Sequence, residues 1–262
     1  MASSKPLVAA RPLHTLAAAL LVIVSCLAVT GPAAAASHAS PPGPTVRTIV
    51  EHLSAKSPPY KGSLNVPQLS WSAGGAVSDR VNLAIIDWVE GQVKQFAAQV
   101  KTDLAHAKNL PSSLPESSLH LTFHVTRLDA KVLSVRFEVE AYVRGAASPS
   151  QVPAGLTFSL ATGSTYTLAS LFRPGATYLP TLARLALGGL KGFRPAGAAC
   201  YVGPPGPPAK ASAFTVWWLT GSALVLSYPA GQYTAAYCGP PTVSIPGTAL
   251  AALLAPGGPL AG

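Results

Sequence analysis

The sequence contains few of the residues from which catalytic and metal sites are built. Its 262 residues include nine Asp and Glu, six His and three Cys. No Cys-x-x-Cys pair and no Cys/His cluster with zinc spacing occurs, which argues against zinc and dithiol redox chemistry. There is also no Gly-x-Ser-x-Gly turn around any serine and no phosphate-binding glycine loop. We therefore expect a protein that is not an enzyme and that uses no metal and no cofactor.

Clustered charge is also missing. The 18 Lys and Arg outnumber the 9 Asp and Glu, giving a formal net charge of +9, but the basic residues never form a run. A nucleic-acid-binding surface would normally concentrate them on one patch. We therefore expect no nucleic-acid partner, and a mildly basic surface that suits an anionic cell envelope.

A long apolar run occurs only near the N-terminus, and it is shorter than the about 20 residues of a membrane span. Lys5 and Arg11 precede the run "LAAALLVIVSCLAV", and the small residues of "TGPAAAASHAS" follow it. This order is typical of a bacterial secretory signal peptide. We predict a signal peptide over residues 1–36, cleavage after Ala36, and a secreted, extracytoplasmic mature chain without a transmembrane segment. Alternatively, "IVSC" is a lipobox, and a lipid on Cys26 anchors the protein at the outer face of the membrane.

Two cysteines, Cys200 and Cys238, remain in the predicted mature chain. An even number of cysteines in an oxidising compartment favours pairing. We predict a Cys200–Cys238 disulfide, with two free buried thiols as the alternative.

The first half of the predicted mature chain has the pattern of a strand followed by a long helix. A flexible Pro/Ser-rich leader is expected over residues 37–48, and "YKGSLNVPQLSW" is typical of a strand. Ser78 is the predicted N-cap of the helix. Apolar residues then recur every three or four positions and predict one buried face: Ile86, Val89, Val93, Phe96, Val100 and Leu104.

The rest of the chain is dominated by strands. "LHLTFHVTRL" and "KVLSVRFEVEAYV" alternate between apolar and polar residues. This alternation is typical of strands in a sheet that packs on one face. "LTFSLATGSTYTL" predicts strand, turn and strand, and Pro180 falls near the start of a second helix. A hairpin around Gly221 and a last strand in "PTVSIP" follow. We predict an α+β fold with a mostly antiparallel sheet packed against two main helices, and a smaller N-terminal strand-plus-helix module.

The order of these elements resembles that of the RsiV-like extracellular domains, the ectodomains of membrane-anchored anti-sigma factors. "LATGSTYTLASLF" and "GPPTVSIP" carry the match, and "GSLNVPQLSW" with the long helix is similar to the smaller module that precedes such domains. Secreted actinobacterial immunogenic proteins share this layout. The resemblance implies an N-terminal module at 49–130, an RsiV-like domain at 131–256 and a tail at 257–262. It also implies binding to an extracellular protein, a lysozyme in the RsiV-like case.

The connection after the predicted hairpin is the candidate binding site. Tyrosines on a proline-limited, disulfide-tethered loop would present large, pre-ordered contact area, although they could equally fill the space beneath the loop. Trp217 and Trp218 are adjacent in a strand, so one of them must be exposed or covered by another element. The candidate binding residues are Tyr228, Tyr233, Tyr237, Pro240 and Pro241.

Three functions follow. The favoured one is a non-catalytic binding module that acts at the bacterial cell envelope on a protein or a cell-wall glycan. The second is an envelope carbohydrate hydrolase or transferase that uses Glu138 and Glu140, which share a strand face. The third is a structural secreted antigen without a dedicated ligand. His120 and His124 share a face but lie about 13 Å apart along a strand, too far to chelate one metal.

Overall fold

The computed structural model describes residues 43–106, 110–197, 199–201 and 205–261. The predicted signal peptide and Cys26 lie outside these residues. Within them, no helix is both long and apolar enough to cross a membrane. The helices and strands are β1 (Thr45–Lys56), β2 (Pro59–Ser70), α1 (Gly75–His106), β3 (Ser117–Leu128), β4 (Val132–Tyr142), β5 (Ser150–Ser159), α2 (Leu179–Gly192), β6 (Trp217–Leu219), β7 (Ala223–Ser227) and β8 (Thr242–Pro246).

The strands form two sheets, which makes the fold α+β, as the sequence predicted. The larger sheet has the order β1-β2-β3-β4-β5, and every pair is antiparallel except β2–β3. Because parallel neighbours need a crossover connection, α1 lies between β2 and β3 in the chain and packs on one face of the sheet. The smaller antiparallel sheet, β6-β7-β8, packs partly on the opposite face, and α2 covers its far side.

Strand β4 confirms the predicted alternation. Val135, Phe137 and Val139 are buried in the core beneath α1, and the ring of Phe137 lies 4.4 Å from that of Trp88 on the helix. The intervening residues of β4 point to the opposite face of the sheet. One strand therefore supplies the apolar floor under α1 and the polar surface on the other side.

Helix α1 begins earlier than predicted. A short 3-10 turn at Ser72–Gly74 leads into Gly75, so Ser78 lies inside the helix with its side chain buried and is not the N-cap. The buried stripe is also displaced, because Ile85 is fully buried while Ile86 is 40% exposed. Val89, Phe96 and Val100 are buried as expected.

Two strand assignments differ from prediction. Residues 45–48 belong to β1, where the sequence predicted a flexible leader, because all of β1 pairs with β2. The second strand expected in "LTFSLATGSTYTL" is reduced to one isolated bridge between Phe158 and Thr165. The chain leaves the sheet there for the 3-10 turn at Ala169–Leu171.

Asp129 holds the β3–β4 turn together. Its Oδ1 accepts hydrogen bonds from the N–H groups of Lys131 (2.7 Å) and Val132 (2.9 Å), and its Oδ2 accepts one from Arg127 Nε (2.6 Å). Arg127 also donates to the carbonyl of Pro259, which ties the turn to the end of the described chain. Burial opposes ionisation of Asp129, but these hydrogen bonds outweigh it and hold its pKa below the usual 3.8.

We expect Asp129→Asn to be more destabilising at pH 7 than at pH 3. A folded-state pKa below the unfolded one adds stability that is fully present above the unfolded value and is lost as the pH falls through the folded value. The amide keeps an acceptor for the two N–H groups and loses the charge that attracts Arg127. Urea unfolding of both proteins at the two pH values measures the difference. An equal loss of unfolding free energy at both pH values would contradict this role of the charge.

Candidate functional site

Strand β6 is attached to the larger sheet by a buried group of hydroxyls. Ser134 Oγ accepts a hydrogen bond from the N–H of Leu219 at 2.9 Å and lies 2.8 Å from Thr157 Oγ1. Thr126 Oγ1 donates to the carbonyl of Leu219 at 2.7 Å. Ser134 and Thr157 are almost completely buried. These side chains satisfy backbone groups of β6 that have no partner in its own sheet, since a buried unpaired group is costly.

Gly155 on β5 allows β6 to approach this closely. A Cβ built on Gly155 would lie 1.9 Å from the carbonyl oxygen of Trp217, which no real contact permits. The smaller sheet therefore meets β3, β4 and β5 at one end of their polar face and leaves the rest of that face uncovered.

A cleft of about 230 Å³ opens where the two sheets separate. Its polar walls come from β3, β4 and β5, and the edge of the smaller sheet closes the other side. The residues that line it are His120, Thr122, Arg136, Glu138, Val139, Glu140, Gln151, Val152, Pro153, Trp218, Ser227, Pro240 and Thr242.

Charged side chains in the cleft are held by neighbours. Arg136 forms an ion pair with Glu138 and lies over the ring of Trp218, 5.5 Å from its centroid. Gln151 Nε2 donates to Glu140 Oε2 at 3.4 Å. Both glutamates thus have a side-chain partner, and the Glu138 side chain is 46% exposed.

The two histidines singled out from the sequence do not meet. His120 lines the cleft, and its Nδ1 lies 2.9 Å from Ser63 Oγ on β2. His124 is paired with Arg136 across the β3–β4 ladder, farther along the strand. Among the described residues, no three His, Cys, Asp or Glu side chains form a group that could hold a metal ion.

The predicted loop tyrosines divide into two buried residues and one exposed residue. Tyr228 and Tyr233 are buried with ring centroids 5.0 Å apart, so they fill the core beneath the loop and are not available to a partner. Burial, reinforced by the Tyr233 phenol, raises the pKa of Tyr228. The sequence left this packing role open as the alternative to binding. Tyr237 is 82% exposed.

The ends of the same loop have separate roles. Pro240 lines the cleft, while the carbonyl of Pro241 accepts hydrogen bonds from the N–H of Tyr228 (3.1 Å) and from Ser227 Oγ (3.2 Å). The predicted disulfide is confirmed: Cys200 and Cys238 are bonded, with their Cα atoms 6.2 Å apart. The disulfide fixes the chain next to Tyr237.

Trp217 and Trp218 are both buried, because other elements cover both faces of β6. Trp217 faces the core beneath α2, and Trp218 faces the larger sheet under Arg136. Covering by another element was one of the two outcomes expected for this pair. Sequence reasoning missed Trp218, Arg136 and Gln151 as cleft residues, although the polar alternation of β4 marked the surface on which they meet.

Comparison with known proteins relates this fold to solved structures. No protein-family model matches the sequence, and no curated protein matches it either. A member of the DUF3298 family from Bacteroides fragilis superposes with a TM-score of 0.57 at 15% identity, over 82% of this chain and 96% of that one. The two chains share a fold. A DUF3298 family protein from Pseudomonas aeruginosa PAO1 gives a TM-score of 0.49 at 13% identity, over 83% and 96% of the respective chains.

Proposed function

We propose that this protein is a secreted, non-catalytic binding module, related to the RsiV-like ectodomains, that binds a cell-wall glycan in the cleft between its two sheets. The observation that carries the proposal is the cleft itself. Carboxylate, amide, imidazole and hydroxyl groups line one wall, and Val152, Pro153 and Pro240 supply apolar surface. An apolar surface with a few fixed polar groups is the usual composition of a small-ligand site.

The alternative, a protein partner such as a lysozyme, has less support. Protein interfaces depend on a few large anchors, most often Trp, Tyr and Arg. Two of the three loop tyrosines expected to act as anchors are buried, which leaves Tyr237.

The volume of the cleft is smaller than the roughly 300–1,000 Å³ typical of sites for drug-sized ligands. A site of this size suits one or a few sugar units.

A carbohydrate hydrolase is the second candidate, because Glu138 and Glu140 line the same cleft. A general acid needs an apolar surrounding that keeps its carboxyl protonated. Glu138 is instead ion-paired with Arg136 and nearly half exposed, and Glu140 accepts a hydrogen bond from Gln151. These surroundings favour two carboxylates that accept hydrogen bonds from sugar hydroxyls.

We expect the secreted protein to co-sediment with protein-free peptidoglycan sacculi, and the double variant Glu138→Gln, Glu140→Gln to bind them roughly ten- to a hundredfold more weakly. Hydrogen bonds to charged groups contribute about 1.5–3 kcal/mol each and those to neutral groups about 0.5–1.5 kcal/mol. The amides keep the shape of the cleft and the weaker hydrogen bonds, so each substitution loses only the difference, about 1 kcal/mol. Glu90→Gln is the matched control, because Glu90 lies on α1, where it pairs with Lys94.

Any of four results would contradict the proposal. Equal binding by the double variant would show that the cleft is not the binding site. Release of reducing sugar that stops in the double variant would support the hydrolase. Tight binding of purified lysozyme, lost in Tyr237→Ala but not in the double glutamate variant, would support the protein partner. Failure to bind any of these probes would favour the structural antigen.

Export is proposed from the N-terminal sequence pattern, and the disulfide fits an oxidising compartment. We expect N-terminal sequencing of the protein from culture medium to begin near Ser37. Recovery in the detergent phase, with the mass of a lipid added at Cys26, would show the anchored alternative to be correct.

A further inference from the structure

A row of polar side chains crosses the larger sheet at right angles to its strands. The strand register pairs His52 with Ser63, Ser63 with His120, His120 with Glu140, and Glu140 with Gln151. Each of the five strands thus contributes one residue to this cross-strand row. Because neighbouring strands lie about 4.8 Å apart, the row is roughly 19 Å long.

The row extends beyond the cleft. His120, Glu140 and Gln151 line the cleft, whereas Ser63 and His52 lie outside it on β2 and β1. His52 is exposed and Ser63 is half-buried. A ligand longer than the cleft could therefore continue across the sheet on the same line of polar groups.

Two hydrogen bonds link four of the five members of the cross-strand row. Ser63 Oγ is 2.9 Å from His120 Nδ1, and Gln151 donates to Glu140. Side chains that are already ordered lower the entropy cost of binding. The row offers both hydrogen-bond donors and acceptors and only one carboxylate, Glu140, which complements a neutral ligand rich in hydroxyl groups.

The direction of the row favours a glycan over a peptide. An extended peptide normally pairs with the backbone of an edge strand and so runs parallel to the strands. A ligand that crosses the strands reaches only side chains, once per strand. Repeated contacts of this kind suit a linear polymer with a repeating unit and hydroxyls along its length.

We infer that the ligand is a linear glycan that lies along the cross-strand row, with one segment in the cleft and the adjoining units on Ser63 and His52. This inference rests on the proposed function, because it names the class of glycan and the direction in which it lies. The uncharged repeating units that occupy the cleft bind Glu140 and Gln151. The units that extend past His120 add affinity.

The test uses soluble N-acetylglucosamine oligomers of increasing length, measured by isothermal titration calorimetry. We expect the hexasaccharide to bind about tenfold more tightly than the disaccharide, since each added hydrogen bond contributes a few-fold. His52→Ala should weaken hexasaccharide binding about three- to tenfold and leave disaccharide binding unchanged. Glu140→Gln should weaken the binding of both.

Two control variants separate the row from the rest of the surface. Ser54→Ala changes the same strand and face as His52 but lies outside the row, and His106→Ala removes an exposed histidine at the end of α1. Neither should alter affinity. Affinity that does not depend on the length of the oligosaccharide, or that His52→Ala leaves unchanged, would overturn the inference. A loss of affinity in Glu140→Gln would then still place the binding site in the cleft. If no oligomer binds, the inference is wrong, and retention on sacculi decides the proposed function separately.

Discussion

Replacing both cysteines, Cys200→Ala with Cys238→Ala, is expected to lower the melting temperature by roughly 8–16 °C. In the loop-entropy description, a disulfide across 38 residues restricts the unfolded chain by about 4 kcal/mol. For a folded unit of this size, each kcal/mol moves the melting temperature by about 2–4 °C. The described residues lie between 43 and 261, which is the size range to which this value applies.

Differential scanning calorimetry with and without reductant measures this effect. Reductant should lower the melting temperature of the unmodified protein to that of the double alanine variant and should leave the variant unchanged. A shift of less than about 2 °C in the variant would show that the loop is held mainly by the buried Tyr228 and Tyr233 rings and that the disulfide adds little.

Gly155→Ala is expected to destabilise the protein by more than about 3 kcal/mol. The added methyl group would overlap the backbone carbonyl of Trp217, which cannot rotate away as a side chain can. Moving β6 outward would leave the N–H and the carbonyl of Leu219 without their partners Ser134 and Thr126. Each orphaned buried group costs about 1–3 kcal/mol, in addition to the strain of overpacking.

Gly91→Ala is the matched control, because a Cβ at Gly91 would meet nothing within 4 Å and the residue lies inside α1. The same chemical change should therefore stabilise the protein by about 0.5–1 kcal/mol. Urea unfolding followed by tryptophan fluorescence compares the two. If both variants lose or gain stability alike, the close approach of β6 to β5 is not what makes Gly155 necessary.

The spacing of apolar residues along the sequence predicted which faces of β4 and α1 are buried. The alternation of β4 gave the buried face with Val135 and Phe137, and the spacing in α1 gave Val89, Phe96 and Val100. The disulfide followed from compartment and cysteine number. Strand β1 was not fully predicted, because it lies at the edge of the sheet and many of its positions are exposed and polar, Arg47 among them. It therefore lacks a continuous pattern of apolar residues.

The candidate site could not be predicted because it depends on contacts between distant segments. Ser134 sits on the polar face of β4 and would be expected in solvent, yet it is fully buried because it binds the backbone of β6. Nothing in the spacing of the loop tyrosines indicates which side of the chain faces the core. The cleft forms where one sheet stops covering another, and a single sequence does not encode that boundary locally.

The parallel pairing of β2 with β3 imposes an order on folding during synthesis. Ser117 begins β3, and it follows the end of β2 at Ser70 by 47 residues, so at about 5–20 residues per second the hairpin of β1 and β2 waits about 2–10 seconds for its partner. Strands β3, β4 and β5 pair with sequence neighbours and can assemble as soon as they emerge, because short loops close at low entropic cost. The N-terminal hairpin therefore spends that interval with an unpaired edge on each side, which makes it the segment most in need of protection from aggregation while the chain is being made.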